Sequence, residues 1–265
     1  MKKIYINPAV LCLVLLTSCM QNNPKWPEGT WIDLTYSYDH KTPFWPTAEG
    51  FRLDTVFEGI TEGNYYYSAF SFQMAEHGGT HIDAPVHFAE GKNTVDQIPL
   101  EQLQGQGVII DITEEVKGDI DYQIMIEDIQ RWEAKYGDIP DGSIILLRTG
   151  FGQFWPDKLK YMGTDKIGPS AVALLHFPGL HPEAAQWLVD NRNIHAIGID
   201  TPSIDYGRSG NFLTHRILMG MNIPAFENVA NLDQLPDKDF YVIALPMKIR
   251  GGSGGPLRII AFLPE

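Results

Sequence analysis

His77-Gly78-Gly79-Thr80-His81-Ile82-Asp83-Ala84-Pro85-Val86-His87-Phe88 holds three of the chain's eight histidines and a carboxylate. Neutral imidazole and carboxylate are ligands that zinc, manganese and iron accept. Positions 77, 81, 83 and 87 share one parity. In an extended segment successive side chains alternate between faces, so these four would converge on one side. A helix also brings histidines four apart together. Helical zinc proteases, however, place Glu after the first His, and here Gly78 follows His77. Gly78 and Gly79 disfavour helix, Thr80 and Ile82 prefer strand, and Pro85 removes a backbone donor. The stretch therefore reads as a Gly-rich entry, a short strand and a Pro-bent exit. The competing reading is three unrelated histidines.

Outward from this stretch, apolar runs rich in β-branched residues recur at Val108–Ile112, Ile144–Leu147, Ile194–Ile199, Tyr241–Leu245 and Leu257–Phe262. They read as buried strands bounded by turn residues. Tyr65–Phe72 is a further strand candidate. Helical spacing predicts a helix over Tyr122–Tyr136, and Pro182 opens another that runs to Val189. Strands alternating with helices define a mixed α/β domain.

Other chemistry-bearing residues are scattered. His215 and Glu227 have no local signal when taken singly. Asp200 follows the Ile194–Ile199 run, where it is either close to a ligand or part of an Asp-Pro turn. Trp45, between Phe44 and Pro46, either lines a pocket or caps the core. Gly251-Gly252-Ser253-Gly254-Gly255 lacks the Lys-Ser/Thr ending of a phosphate loop and reads as a flexible turn. His40, His176, His181 and His195 suggest no role. No Gly-x-Ser-x-Gly elbow is present, which disfavours a serine triad.

The chain has 265 residues, a formal charge of −13 and two cysteines. Lys2 and Lys3 precede the mostly apolar Ile4–Leu16, too short to span a bilayer as a helix. Leu16-Thr17-Ser18-Cys19 resembles a bacterial lipoprotein cleavage box. Residues 1–18 are therefore expected to be a lipoprotein signal peptide, residues 19–30 a tether, and residues 31–265 one domain. Localisation would be the cell envelope, with the membrane reached only through lipidated Cys19. Both cysteines, Cys12 and Cys19, lie in this leader region, so the domain carries neither a disulfide nor a thiol nucleophile. Acidity without Lys/Arg runs argues against nucleic-acid binding.

Taken together, His-x-Gly-Thr-His-x-Asp-x-Pro-x-His, a downstream Gly-Ile-Asp, and His215 and Glu227 twelve apart resemble the metal-dependent cyclase/hydrolase family. That family includes kynurenine formamidase and isatin hydrolase. The resemblance spans about Trp31 to Phe262. It implies a swivelling β/β/α domain assembled as a homodimer or tetramer. It implies that His77, His81 and Asp83 bind a divalent metal, zinc or manganese. By the same resemblance Asp83 would bridge to a second ion held by His215 and Glu227, giving one or two per chain. His87 becomes the acid/base, and Trp45 the aromatic packed on a small-molecule substrate. The implied activity is metal-dependent hydrolysis of a C–N bond in an amide or cyclic amide, of the arylformamide or lactam type. Two rivals are a lactone or ester hydrolase of the same family, and a metal- or solute-binding lipoprotein with no catalysis.

Overall fold

The computed structural model describes residues 27–265. The expected signal segment, Cys19 and most of the tether lie outside the described residues. The chain opens with β1 (Gly29–Asp33), a hairpin of β2 (Arg52–Ile60) and β3 (Tyr66–Gln73), and the short β4 (His81–Asp83). Next come β5 (Gln104–Asp111), α1 (Thr113–Gly118), β6 (Gln123–Ile124), α2 (Ile126–Tyr136) and β7 (Ile144–Arg148). They are followed by α3 (Lys158–Met162), β8 (Gly179–Leu180), α4 (Pro182–Asn191) and β9 (Ala196–Ile199). Last are α5 (Leu213–Gly220), β10 (Ala225–Glu227), β11 (Phe240–Pro246) and β12 (Gly254–Pro264).

One mixed sheet organises the molecule, in the order β1-β12-β11-β5-β7-β9-β10-β4. β5, β7, β9 and β10 run parallel, whereas β4, β11 and β12 pair antiparallel. β4 pairs with β12 as well as β10, so the sheet closes on itself. The central strands β5, β7 and β9 are buried on both faces, which explains why they read as continuous runs and not as alternation. Alternate residues feed two separate cores. Val108, Ile110, Ile145 and Leu147 face the helices. Ile109, Ile144, Leu146 and Phe226 face the opposite way, with Ile82 and Ile259.

All five expected core strands form, although their limits shift. Three boundaries differ for identifiable reasons. The expected helix from Tyr122 begins only at Ile126. Gln123 and Ile124 are taken by a parallel ladder with β8, and the Asp128 carboxylate accepts from Met125 N at 2.8 Å at the helix entrance. The expected tether overruns the domain, because Gly29 and Thr30 already pair with Pro264 and Leu263. Within the histidine stretch only His81–Asp83 is strand, and Pro85–His87 forms a 3₁₀ turn.

Gly107 of β5 faces Phe240 across the ladder, where a Cβ would lie 1.9 Å from the ring. Phe240 is fully buried. Gly107→Ala is therefore expected to cost about 1–3 kcal/mol of stability through overpacking. Urea unfolding measures it, and an unchanged midpoint would mean that the ring has room to move.

Candidate metal centre

β4 and β10 pair antiparallel with Glu227 opposite His81. Opposed residues of adjacent strands point to one face, as do residues two apart on one strand. His81, Asp83 and Glu227 therefore share a face. His215 joins them from α5 and is buried. His77 arrives differently from the parity expectation. Gly79 adopts φ +60°, a left-handed turn suited to glycine, so the backbone is not extended between His77 and His81. The glycines also admit close neighbours. A Cβ on Gly78 would strike the Phe44 ring, and one on Gly79 the Tyr38 ring.

The side chains converge tightly. His77 Nδ1 lies 2.6 Å from Asp83 Oδ1. His215 Nε2 lies 3.0 Å from Asp83 Oδ2 and 3.1 Å from Glu227 Oε1. His81 Nε2 lies 3.1 Å from Asp83 Oδ1 and 3.5 Å from Glu227 Oε2. Asp83 thus offers one oxygen to His77 and His81 and the other to His215. His87 follows in the 3₁₀ turn and stacks on His77, with ring centroids 3.8 Å apart. Ligand atoms from His81, Asp83 and Glu227 form one compact group and those from His77, Asp83 and His87 a second, each within 4.8 Å.

The donor set fits a divalent cation. His81 Nδ1 sits 2.9 Å from the Gly79 carbonyl, to which it must donate, so in the neutral ring Nε2 carries the lone pair. Among the described residues that buried atom has no hydrogen-bond partner, and it faces two carboxylates. Lone pairs gathered without a donor are costly inside a protein, and a shared cation removes the cost.

The electrostatics have the same origin. Burial pushes the His81 imidazole down, but Asp83 and Glu227 outweigh it and hold the ring above its ordinary value. Burial also works to raise Asp83, yet His77 and His81 hold that carboxyl well below the usual range. Glu227 is driven up, by burial and then by the Asp83 charge. Burial pushes His87 down to about 4, against the pull of Asp83, so its ring is neutral at pH 7.

Behind His215, Asp205 Oδ2 lies 2.6 Å from Nδ1 and also accepts from His215 N at 3.1 Å. A carboxylate on the far nitrogen fixes the tautomer that leaves Nε2 free for a metal. Asp205→Asn is expected to weaken by about 10–100-fold the binding of an ion that His215 would hold. Competition with a chelator measures this, and undiminished affinity would show that Asp205 only braces the helix.

A cavity of about 310 Å³ opens over the cluster. Trp45 lines it and also packs against the core beneath. Phe88 and Phe212 line it as well, 5.2 Å apart. Sequence reasoning missed both. Phe212 is a non-glycine residue at φ +50° immediately before α5. Such backbone strain clusters at functional sites but has no sequence signature. Asp205 was missed too, because it meets His215 through the turn and not through a local motif.

Two expectations are corrected here. Asp200 does stand at the end of β9, but its carboxylate accepts from Thr149 N, Thr149 Oγ1 and Gly150 N. It ties two loops together and does not line the cavity over the histidines. The 251–255 segment is not a free turn. Gly254 and Gly255 begin β12 against β4, and Ser253 contacts both Glu76 and His77.

Fold and site together define a metal-dependent hydrolase. The Cyclase family model matches residues 32–206. An isatin hydrolase from Roseibium aggregatum is 32% identical over 200 residues, covering 72% of this chain and 73% of its own length. A kynurenine formamidase from Bacillus cereus is 27% identical over 234 residues, covering 87% of this chain and 96% of its own. The solved structure of isatin hydrolase A from Labrenzia aggregata, bound to benzyl benzoate, superposes with a TM-score of 0.80 at 30% identity. That match covers 89% of this chain and 94% of the other. The chain belongs to the Cyclase family.

Proposed function

We propose that this protein hydrolyses the C–N bond of a small cyclic or aryl amide, with zinc or manganese held by His77, His81, Asp83, His215 and Glu227. The carrying observation is the buried, partnerless His81 Nε2 among carboxylate oxygens at the floor of an aromatic cavity. A bound divalent cation supplies Lewis acidity toward a carbonyl and lowers the pKa of water. Asp83, with an oxygen toward each histidine group, supports a site for two ions. His87, neutral at the cavity wall, takes a proton from the attacking water and returns it to the leaving nitrogen. Water adds across the amide, giving a carboxylic acid and an amine.

The cavity wall favours an uncharged aromatic substrate. Pro43, Trp45, Phe88, Met162 and Phe212 supply apolar surface, and among the described residues neither Lys nor Arg lines it. Asn228 has its amide committed, donating to the Gly79 carbonyl and accepting from Tyr161. A substrate carboxylate held away from the metal would therefore find no Lys or Arg among the described lining residues, which supports a lactam over an amide bearing an amino-acid tail. Isatin, formanilide and phenyl acetate, assayed with and without a chelator, test the reading. Chelator-sensitive opening of isatin, with formanilide slower, is expected. Turnover of the ester alone would favour the lactone or ester alternative, and no turnover would favour a binding protein.

A homo-oligomer belongs to the same proposal. Among the described residues the β2–β3 hairpin pairs with no other strand, yet it exposes Leu53, Phe57, Ile60, Tyr66, Phe70 and Phe72. An isolated hairpin is marginal in water, and an apolar patch of this kind marks an interaction surface. A second copy covering the hairpin would remove both problems. Light scattering is expected to give a dimer or a multiple of it, and Phe70→Asp with Phe72→Asp the monomer. Envelope anchoring through Cys19 is proposed from the sequence alone. Loss of labelled-lipid incorporation in Cys19→Ala would test it.

A further inference from the structure

The Gly-Gly-Ser-Gly-Gly segment carries an arrangement that the hydrolytic reading does not use. Ser253 Oγ lies 2.9 Å from His77 Nε2 and donates to Glu76 Oε2 at 2.7 Å. Ser253 N donates to the same carboxylate oxygen at 3.0 Å. A serine hydroxyl has one proton, and here it goes to Glu76. Ser253 Oγ therefore meets His77 as an acceptor only, so Nε2 must carry a hydrogen. The other ring nitrogen, Nδ1, is the one aimed at Asp83 Oδ1.

The glycines on either side of Ser253 make this contact possible. A Cβ on Gly254 would lie 2.5 Å from the His77 ring and 2.5 Å from the Ile82 carbonyl oxygen. A Cβ on Gly252 would lie 2.9 Å from Glu76 Oε1. Side chains there would push the serine, the histidine and the glutamate apart.

We infer that Glu76 and Ser253 are positioning residues that fix the tautomer of His77 and present its Nδ1 to the metal. The inference rests on the reading of His77 as a metal ligand. Glu76 aims the serine proton away from His77. The serine oxygen then holds the Nε2–H, and the Nδ1 lone pair is left for coordination. Partners of this kind, hydrogen-bonded to a ligating imidazole, typically alter metal affinity 10–100-fold when removed. Because Glu76 acts through one oxygen that accepts two bonds, a glutamine amide oxygen can take its place.

The test uses zinc on the purified, metal-stripped protein. Affinity is read by chelator competition, and the His77 tautomer by two-bond ¹H–¹⁵N correlation, assigned with His77→Gln. The expected spectrum of the zinc-loaded protein shows His77 protonated at Nε2 and coordinated through Nδ1. Ser253→Ala and Glu76→Ala are expected to weaken the His77-bound ion by about 10–100-fold and leave the His215-bound ion unchanged. Glu76→Gln should keep wild-type affinity. The wild-type spectrum decides the matter even if a variant fails to fold. Coordination through Nε2, or wild-type zinc affinity in a folded Ser253→Ala, overturns the inference. If His77→Gln also binds zinc normally, the ligand reading of His77 falls with it. If His77→Gln loses an ion while Ser253→Ala does not, only the positioning role fails.

Discussion

His87→Ala is expected to lower kcat on a cyclic or aryl amide by about 10²- to 10⁴-fold, the range for loss of a positioned acid/base. Metal content should stay at the wild-type value. The geometry separates the two properties. His87 stacks on His77 through its ring face, whereas the ligand atoms of His81, Asp83, His215 and Glu227 point at one another without it. Turnover by single-wavelength assay and metal by elemental analysis settle the assignment. Loss of an ion in His87→Ala, with turnover restored by added metal, would instead make His87 a ligand of the group it forms with His77 and Asp83.

The same variant has a stability signature in the metal-free protein. The unfolded ring takes a proton at about pH 6.5. The folded ring does so only at about 4, because burial disfavours its charge. Between those values the unfolded state binds more protons, so His87 costs stability as pH falls through that window. The urea midpoint of His87→Ala should therefore drop less than that of wild type between pH 7 and pH 5. An equal drop would mean that His87 titrates normally in the folded chain.

Asp83→Ala is expected to have the largest effect of any single substitution at the site. Both carboxylate oxygens are engaged, Oδ1 toward His77 and His81 and Oδ2 toward His215. Their removal takes a ligand from each group at once. Both ions should be lost at micromolar metal, and turnover should fall by more than about 10³-fold, since free water with a pKa near 15.7 is a poor nucleophile at neutral pH. His215→Ala should by contrast lose one ion and keep the other. Elemental analysis of the two variants side by side distinguishes a shared carboxylate from two independent sites. Equal losses would argue for a single ion. The fold should survive Asp83→Ala, because β4 is held by backbone pairing to both β10 and β12.

Much of the centre was legible in the sequence because metal ligation needs particular side chains in a short span. His77, His81, Asp83 and His87 lie within eleven residues, and two strand-alternate positions, His81 and Asp83, share a face in the structure as alternation requires. The route was less legible. Parity suggested one continuous strand, but a left-handed Gly79 and a 3₁₀ turn bring in the outer two histidines. The apolar runs gave the core strands, and those of β5, β7 and β9 are continuous because these strands are buried on both faces. Gln123 and Ile124 misled because a two-residue ladder with β8 outweighed their helical context.

By itself, the sequence determined the α/β class, the four clustered metal-type side chains and the absence of a thiol chemistry in the domain. These follow from residue type and local spacing, which act over a few bonds. Only the tertiary structure decided which distant residues complete the site. Glu227 reaches His81 because β10 and β4 pair in that register. Asp205 reaches His215 because a buried turn folds back on α5. Ser253 reaches His77 because β12 closes the sheet against β4 with glycine opposite Asp83. Each contact spans ten to nearly 180 residues of chain. Its geometry is set by strand register and sheet closure, and those depend on the sum of two cores and not on any local pattern of residues.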